Sequence, residues 1–419
     1  MRVPLHSKAS RILLVTACII AALAYSSLAG ADLLADYFAG RSSLRALRAA
    51  VWLRPTNAEY HYLLGRYLWL VQQAPEGASQ AYRTAVDLDP HAARYWLELA
   101  ATYQWLGKDD AEMDAVSHAV RAEPTTPSVA WDAANYYLIH GDTGLALQEY
   151  SVVLAYDPYL YPAAVQAVWR IKPDADFLLQ NVVPPVPDVY AYFLTLMISK
   201  NETEASAKIW DRLVQLREPI AAHHVFNYVA YLVQHQDPDQ ARMVWKQAGP
   251  LCDLSAYQPS AENLIVNGDF SQEVLNAGFD WRYQKRSDVD LSLDSVHFQA
   301  GRRSLLIDFD SHGLRDAGVW HLITVQPNTS YKFSAYFKAD GIEGVGGPRV
   351  SLQDQYSNES YFDSDYLTDA DFFKPIGGDF TTGPDSKLLV LRVNRDPAGS
   401  PIKGKLWLDG FRLVQNPKG

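Results

Sequence analysis

Between residues 33 and 250 apolar positions recur at helical spacing, and the helical runs themselves recur at a longer period. Each run closes on a proline: Trp52-Leu53-Arg54-Pro55, Leu88-Asp89-Pro90, Ala122-Glu123-Pro124 and Tyr156-Asp157-Pro158, with spacings of 35, 34 and 34 residues. Counting back from these prolines, small residues stand at minus 12 (Ala78, Ala146) and minus 5 (Ala50, Ala85, Ala119), with Tyr82 and Tyr150 at minus 8. Small side chains let two helices approach and a ring fills the space beside them. Gly107 and Gly141 fall where the turn between paired helices is needed. A unit of this length cannot bury its apolar face alone, so neighbours must stack into a solenoid whose concave side is free for a partner.

The period has local departures. The unit ending at Pro90 carries an extra residue near Gln72-Gln73-Ala74-Pro75, and Glu112 occupies a small-residue position. Register is lost between about 159 and 187, where Lys172-Pro173 and Val183-Pro184-Pro185-Val186-Pro187 cannot continue a helix. It resumes over 188–219 with Leu194, Ile198 and Ala207, and over 222–250 with Tyr228, Leu232, Ala241, Trp245 and Ala248. Five repeat-like units follow a lone first helix over 33–54. The large/small alternation with its terminal proline closely resembles the tetratricopeptide repeat, which implies a protein partner for the groove.

At residue 263 the pattern changes to short alternating runs separated by turns. Leu291–Leu293, Ser304–Phe309, Tyr331–Phe337, Arg349–Gln353, Leu388–Val393 and Lys405–Leu413 read as strands. Many short strands in about 150 residues predict an antiparallel β-sandwich. The expected architecture is therefore multidomain, α then β: a membrane or signal segment over 1–31, helical repeats over 32–250, a linker over 251–262 and a sandwich over 263–416.

The second half resembles the carbohydrate-binding modules of the cellulose- and xylan-binding jelly-roll type, a galactose-binding-like sandwich. The resemblance rests on Asn267-Gly268-Asp269-Phe270, Trp281, Gly301-Arg302-Arg303-Ser304-Leu305, Pro327 to Ser334, and the closing run Leu406 to Leu413 around Asp409. It implies a glycan as ligand, although relatives of this sandwich include members that bind no sugar. It also implies a structural calcium beside the first and last strands, for which Asp269 and Asp409 would supply oxygens; an Asp in a turn also caps its own backbone.

Sugar rings offer apolar faces bordered by hydroxyls, so a binder needs flat aromatic side chains among planar hydrogen-bonding groups. Tyr356, Tyr361 and Tyr366 lie in such a setting with Gln353 and Asn358, and Trp281, Tyr283, Trp320 and His321 are further candidates. The competing expectation for Trp281, Trp320, Tyr331, Phe333 and Trp407 is packing between the two sheets.

Arg2, Lys8 and Arg11 precede an uncharged stretch, Ile12 to Ala31, long enough to cross a bilayer as one helix. A positive flank inside places the remainder outside the cytoplasm. An uncleaved anchor running into the first repeat helix and a signal peptide cleaved after Ser27-Leu28-Ala29 are both open, the second giving a secreted protein. Cys18 and Cys252 are the two cysteines, so the folded part has no internal disulfide. A net charge of −11 argues against nucleic acid, whose phosphates need clustered Lys and Arg. Repeats and sandwich occupy the length a catalytic domain would need, and no phosphate loop, nucleophile elbow or Cys-x-x-Cys is present. Asp363 and Asp365, side by side on one strand, do not make a glycosidase pair. The expectation is a non-catalytic envelope adaptor that joins a protein partner to a glycan, plausible in exopolysaccharide assembly, export or retention. A pure protein-assembly factor whose sandwich binds no sugar is the alternative.

Overall fold

The computed structural model describes residues 8–416, so Arg2 of the predicted basic flank lies outside the described residues. The chain divides into two compact units, Met1–Pro184 and Pro185–Gly419.

The first unit is helical: α1 (Lys8–Ala39), α2 (Leu44–Leu53), α3 (Ala58–Leu70), α4 (Pro75–Leu88), α5 (Ala93–Trp105), α6 (Asp109–Ala122), α7 (Pro127–Ile139), α8 (Thr143–Tyr156), α9 (Tyr161–Ile171) and α10 (Ala175–Asn181). The lone helix expected over 33–54 is instead two. Its first part continues the apolar N-terminal segment through Ala39, and Ser43 then caps a new helix by accepting from Ala46 N. α1 carries a window of mean hydropathy 2.3 with none of it buried.

The proline period acts through the helix ends. In α2, α4, α6 and α8 the residue before each proline is the C-cap, and its N–H donates to the carbonyl of Ala50, Ala85, Ala119 or Val153. The proline that follows has no N–H with which to continue the helix. Gly107 and Gly141 take left-handed backbone at the predicted turns, and Gln73 takes the same conformation where the longer turn has no glycine. Glu112 is buried, within 3.1 Å of His140 Nε2 and accepting from Gln104 Nε2 at 3.2 Å, which accounts for a carboxylate at a small-residue position. Helices pair through rings laid on small residues: a Cβ at Gly65 would stand 2.6 Å from the Tyr82 ring.

The second unit opens with two more helix pairs, α11 (Pro187–Ser199) with α12 (Thr203–Leu216) and α13 (Ala222–Gln234) with α14 (Pro238–Ala248). Ten strands follow: β1 (Arg282–Tyr283), β2 (Val289–Asp294), β3 (Ser304–Gly313), β4 (Asp316–Thr324), β5 (Ser330–Gly344), β6 (Gly347–Asp354), β7 (Ser360–Asp363), β8 (Ala370–Thr381), β9 (Leu388–Asp396) and β10 (Pro401–Gln415). They form two antiparallel sheets, ordered β1-β4-β9-β6-β7 and β2-β3-β10-β5-β8. Alternate residues of facing strands, such as Phe333 and Phe337 against Leu389, Leu391 and Leu352, fill the space between them.

Residues 251–262, read as a linker, are held on both sides. Trp245 Nε1 donates to Tyr257 O at 2.8 Å, and Tyr257 Oη donates to Glu273 O at 2.8 Å. The Trp245 ring also lies where a side chain on Gly278 would be, with Phe279 edge-on at 5.9 Å. Gly278 has φ of +59°, so both its backbone and its neighbour demand a missing Cβ. Gly278→Ala is expected to cost about 2–4 kcal/mol through strain and overpacking. It should also speed limited proteolysis within 251–262; an unchanged melting temperature and cleavage rate would remove the interlock from the account.

Candidate functional site

Two surfaces are candidates, and each lies within one unit. In the first unit a concave cavity of about 440 Å³ runs along α5 and α7, lined by Arg94, Glu98, Gln104, Asp132, Asn135 and Tyr136. Burial pushes the carboxyls of Glu98 and Asp132 up, and the Tyr136 phenol to about 12. Such a groove offers carboxylates and amides to the backbone or the cationic side chains of a bound chain.

The second surface is the outward face of the sheet β1-β4-β9-β6-β7. Register places Arg282, Trp320, Arg392, Ser351 and Asp363 in one row across the strands, with Leu322, Val390 and Gln353 in the next and Asn394 opposite Arg349 on the other side. Leu322 and Val390 are buried although they point away from the inter-sheet core. α14 packs on β4, Tyr356 Oη donates to Val233 O of α13 at 3.0 Å, and Lys387 pairs with Asp239 at 2.7 Å. The helices thus roof one end of this face, and Trp320, Arg392 and Arg349 lie toward the other. Arg392 makes no ion pair among the described residues.

The structure does not gather the predicted tyrosines into one patch. Tyr356 is spent on α13. Tyr361 lies nearly parallel to Phe380 with ring centres 5.7 Å apart, while its hydroxyl donates to Glu359 and meets Ser386 Oγ at 2.6 Å. Tyr366 is 45% exposed, donates to Asp396 at 3.1 Å and carries the Arg349 guanidinium over its ring at 5.6 Å. Gln353 joins the outward face, and Asn358 sits exposed in the hairpin between β6 and β7 with φ of +61°. Trp281 is no surface ring: it is enclosed by Phe270, Phe411 and His321, and its Nε1 donates to Asn267 O at 3.0 Å. Of the five rings expected between the sheets, Trp281, Tyr331 and Phe333 lie there. Trp320 points outward, and Trp407 lies on the outer face of the other sheet beside Lys338 and His297. Trp320 was legible from strand alternation once β4 was recognised; Arg392 gave no local signal.

Asp409 is buried and accepts from the backbone N–H of Gln299, Ala300 and Gly410 at 2.6–2.7 Å, while Asp269 accepts from Ser271 N at 3.2 Å and Ser271 Oγ at 2.7 Å. Burial pushes the Asp409 carboxyl up, with Asp269 adding to the shift. Both side chains are engaged as turn caps, and no three acidic, His or Cys groups converge among the described residues.

Residues 262–399 match the family model described as "Carbohydrate binding domain". The chain joins a run of paired helices to a sandwich, on which the matched residues fall. Similar solved structures include MamA (18% identity, 39% of this chain and 88% of that one, TM-score 0.29) and YrrB, titled a TPR protein with an unusual peptide-binding site (13%, 50% and 93%, 0.25). A CBM4 structure is also similar (15%, 36% and 99%, 0.27). No curated protein matches the chain. The family model matched is that of a binding module.

Within the module His321 is wholly buried and held neutral, its pKa lowered to about 4 by burial, whereas burial pushes the Asp280 carboxyl up to about 6. Stability from neutral His321 is complete above the unfolded value near ~6.5 and drains as pH falls toward ~4, by about 3 kcal/mol. Asp280 acts in reverse, since its cost at neutral pH begins to fall below about 6 and is gone only below the unfolded carboxyl value of about 4. His321→Gln should therefore flatten the loss of melting temperature between about pH 7 and pH 4, and Asp280→Asn should steepen it. Parallel profiles for both variants and the parent would contradict this assignment.

Proposed function

We propose that this protein is a non-catalytic, membrane-tethered adaptor of the cell envelope, in which the repeats hold a protein partner and the sandwich holds a glycan. The observation that carries the reading is the row across the outward sheet, inside the matched residues, where Trp320 stands between Arg282 and Arg392, with Asn394 two residues along β9 from Arg392 and Gln353 two strands away on β6. A flat ring bordered by planar donors and acceptors is the chemistry a sugar face and its hydroxyls require. Tyr366 and Gln353 extend this surface at its edge, and Asn358 lies beyond it. The apolar α1 supports tethering, and an extracytoplasmic position would put the sandwich within reach of an exopolysaccharide during its assembly, export or retention.

A second reading, in which the sandwich only braces the helices, draws support from the Tyr356 bond to α13. Affinity electrophoresis of the full chain through a polysaccharide panel separates the two. Trp320→Ala and Arg392→Ala are expected to weaken retention by about tenfold each, the loss of roughly 1.4 kcal/mol of ring or guanidinium contact. Retention on no polysaccharide, or retention indifferent to both substitutions, favours the brace.

A further inference from the structure

Where α14 meets β4 the second unit encloses a cavity of about 440 Å³, within the range of small-ligand sites. Its floor is apolar, built by Leu264, Val266, Leu322 and Val325. Arg242 and Lys246, one helical turn apart on α14, stand exposed at its border with no ion partner among the described residues. Arg242 lines the cavity together with Tyr331, whose phenol burial pushes up. The neutral polar groups include three amides beside the hydroxyls of Ser260 and Thr324: Gln258, whose Nε2 is committed to Trp245 O and Leu254 O and whose oxygen is left as an acceptor, with Gln326 and Gln415 at the rim.

Two unpaired cations on a chain of net charge −11, set over an apolar floor and ringed by amides, specify a ligand with an anionic group, C–H faces and hydroxyls. We propose that this cavity is a second binding site, which takes a carboxylate-bearing sugar residue of an acidic glycan. Arg242 and Lys246 hold the carboxylate, the three glutamines meet the hydroxyls, and the apolar floor takes a ring face. The cavity shares β4 with Trp320: Leu322 and Thr324 line it, and Trp320 follows on the same outward side, so one glycan chain would reach both. In naming the sugar class, the inference rests on the glycan reading above.

The test uses the full chain in detergent, with trigalacturonate and its methyl ester as calorimetric probes. Trigalacturonate is expected to bind and its methyl ester to bind at least tenfold more weakly, with affinity for the acid falling as salt is raised. The double variant Arg242→Gln with Lys246→Gln should lose at least tenfold. Ala261→Trp, a change at an exposed residue of the rim, should block the cavity without burdening the core. Equal binding of acid and ester, no binding of either, or indifference to both variants overturns the proposal. Trp320→Ala reports separately on the outward sheet: if it leaves neutral-polysaccharide retention unchanged, the sheet reading fails while a uronate response lost in the double variant still establishes the cavity.

Discussion

A flat ring set against a residue without a side chain is the contact on which this molecule depends. In the repeats Tyr82 occupies the space beside Gly65, and in the second unit Trp245 occupies the space beside Gly278. Both rings are fully buried, and a single added methyl has no volume to enter. In the first case the contact pairs two helices. In the second it joins helix to sandwich, and the hydrogen bond from Trp245 to Tyr257 holds the intervening segment in place.

That second contact has functional consequences for the sandwich. With α13 and α14 seated on it, one end of the outward sheet is roofed, so Leu322 and Val390 are dry and Tyr356 becomes a structural group. The same seating creates a cavity that neither the helices nor the strands would have alone. The binding chemistry available to the module is thus set partly by repeat residues: Arg242 and Lys246 come from a helix, Gln326 and Gln415 from the sandwich.

Buried polar groups are met by nearby donors or acceptors at several points, and at others they are not. Asp409 is held by three backbone amides, Glu112 by His140 and Gln104, and His321 is kept neutral beside Val266 O. Asp409 and Glu112 are satisfied where packing has removed them from water, whereas His321 uses only Nε2: neither its buried Nδ1 nor Asp280 Oδ1 has a partner among the described residues. Asp409 and Asp269 accordingly serve the turns that open and close the sandwich.

The proline period, the small-residue positions and the change to two-residue alternation at 263 are local patterns, so the sequence by itself determined a run of helix pairs followed by a sandwich. Helix ends follow from a missing N–H and turn glycines from positive φ, and neither needs distant contacts. The split of the first helix at Ser43 was also local, but apolar continuity from the N-terminal segment masked it. The strands β1, β4, β7 and β8 escaped: β1 and β7 are short, β4 is buried along nearly its whole length and so shows no apolar–polar alternation, and β8 is an edge strand whose partner β5 lies far away in the chain. Which rings are ligands was likewise beyond local reading. Tyr356, Tyr361 and Tyr366 are neighbours in sequence yet take three different partners, whereas Trp320 and Arg392, 72 positions apart, face each other across a β-ladder. Side chains are assigned to a surface by register and by what covers it, and only the tertiary structure decides either.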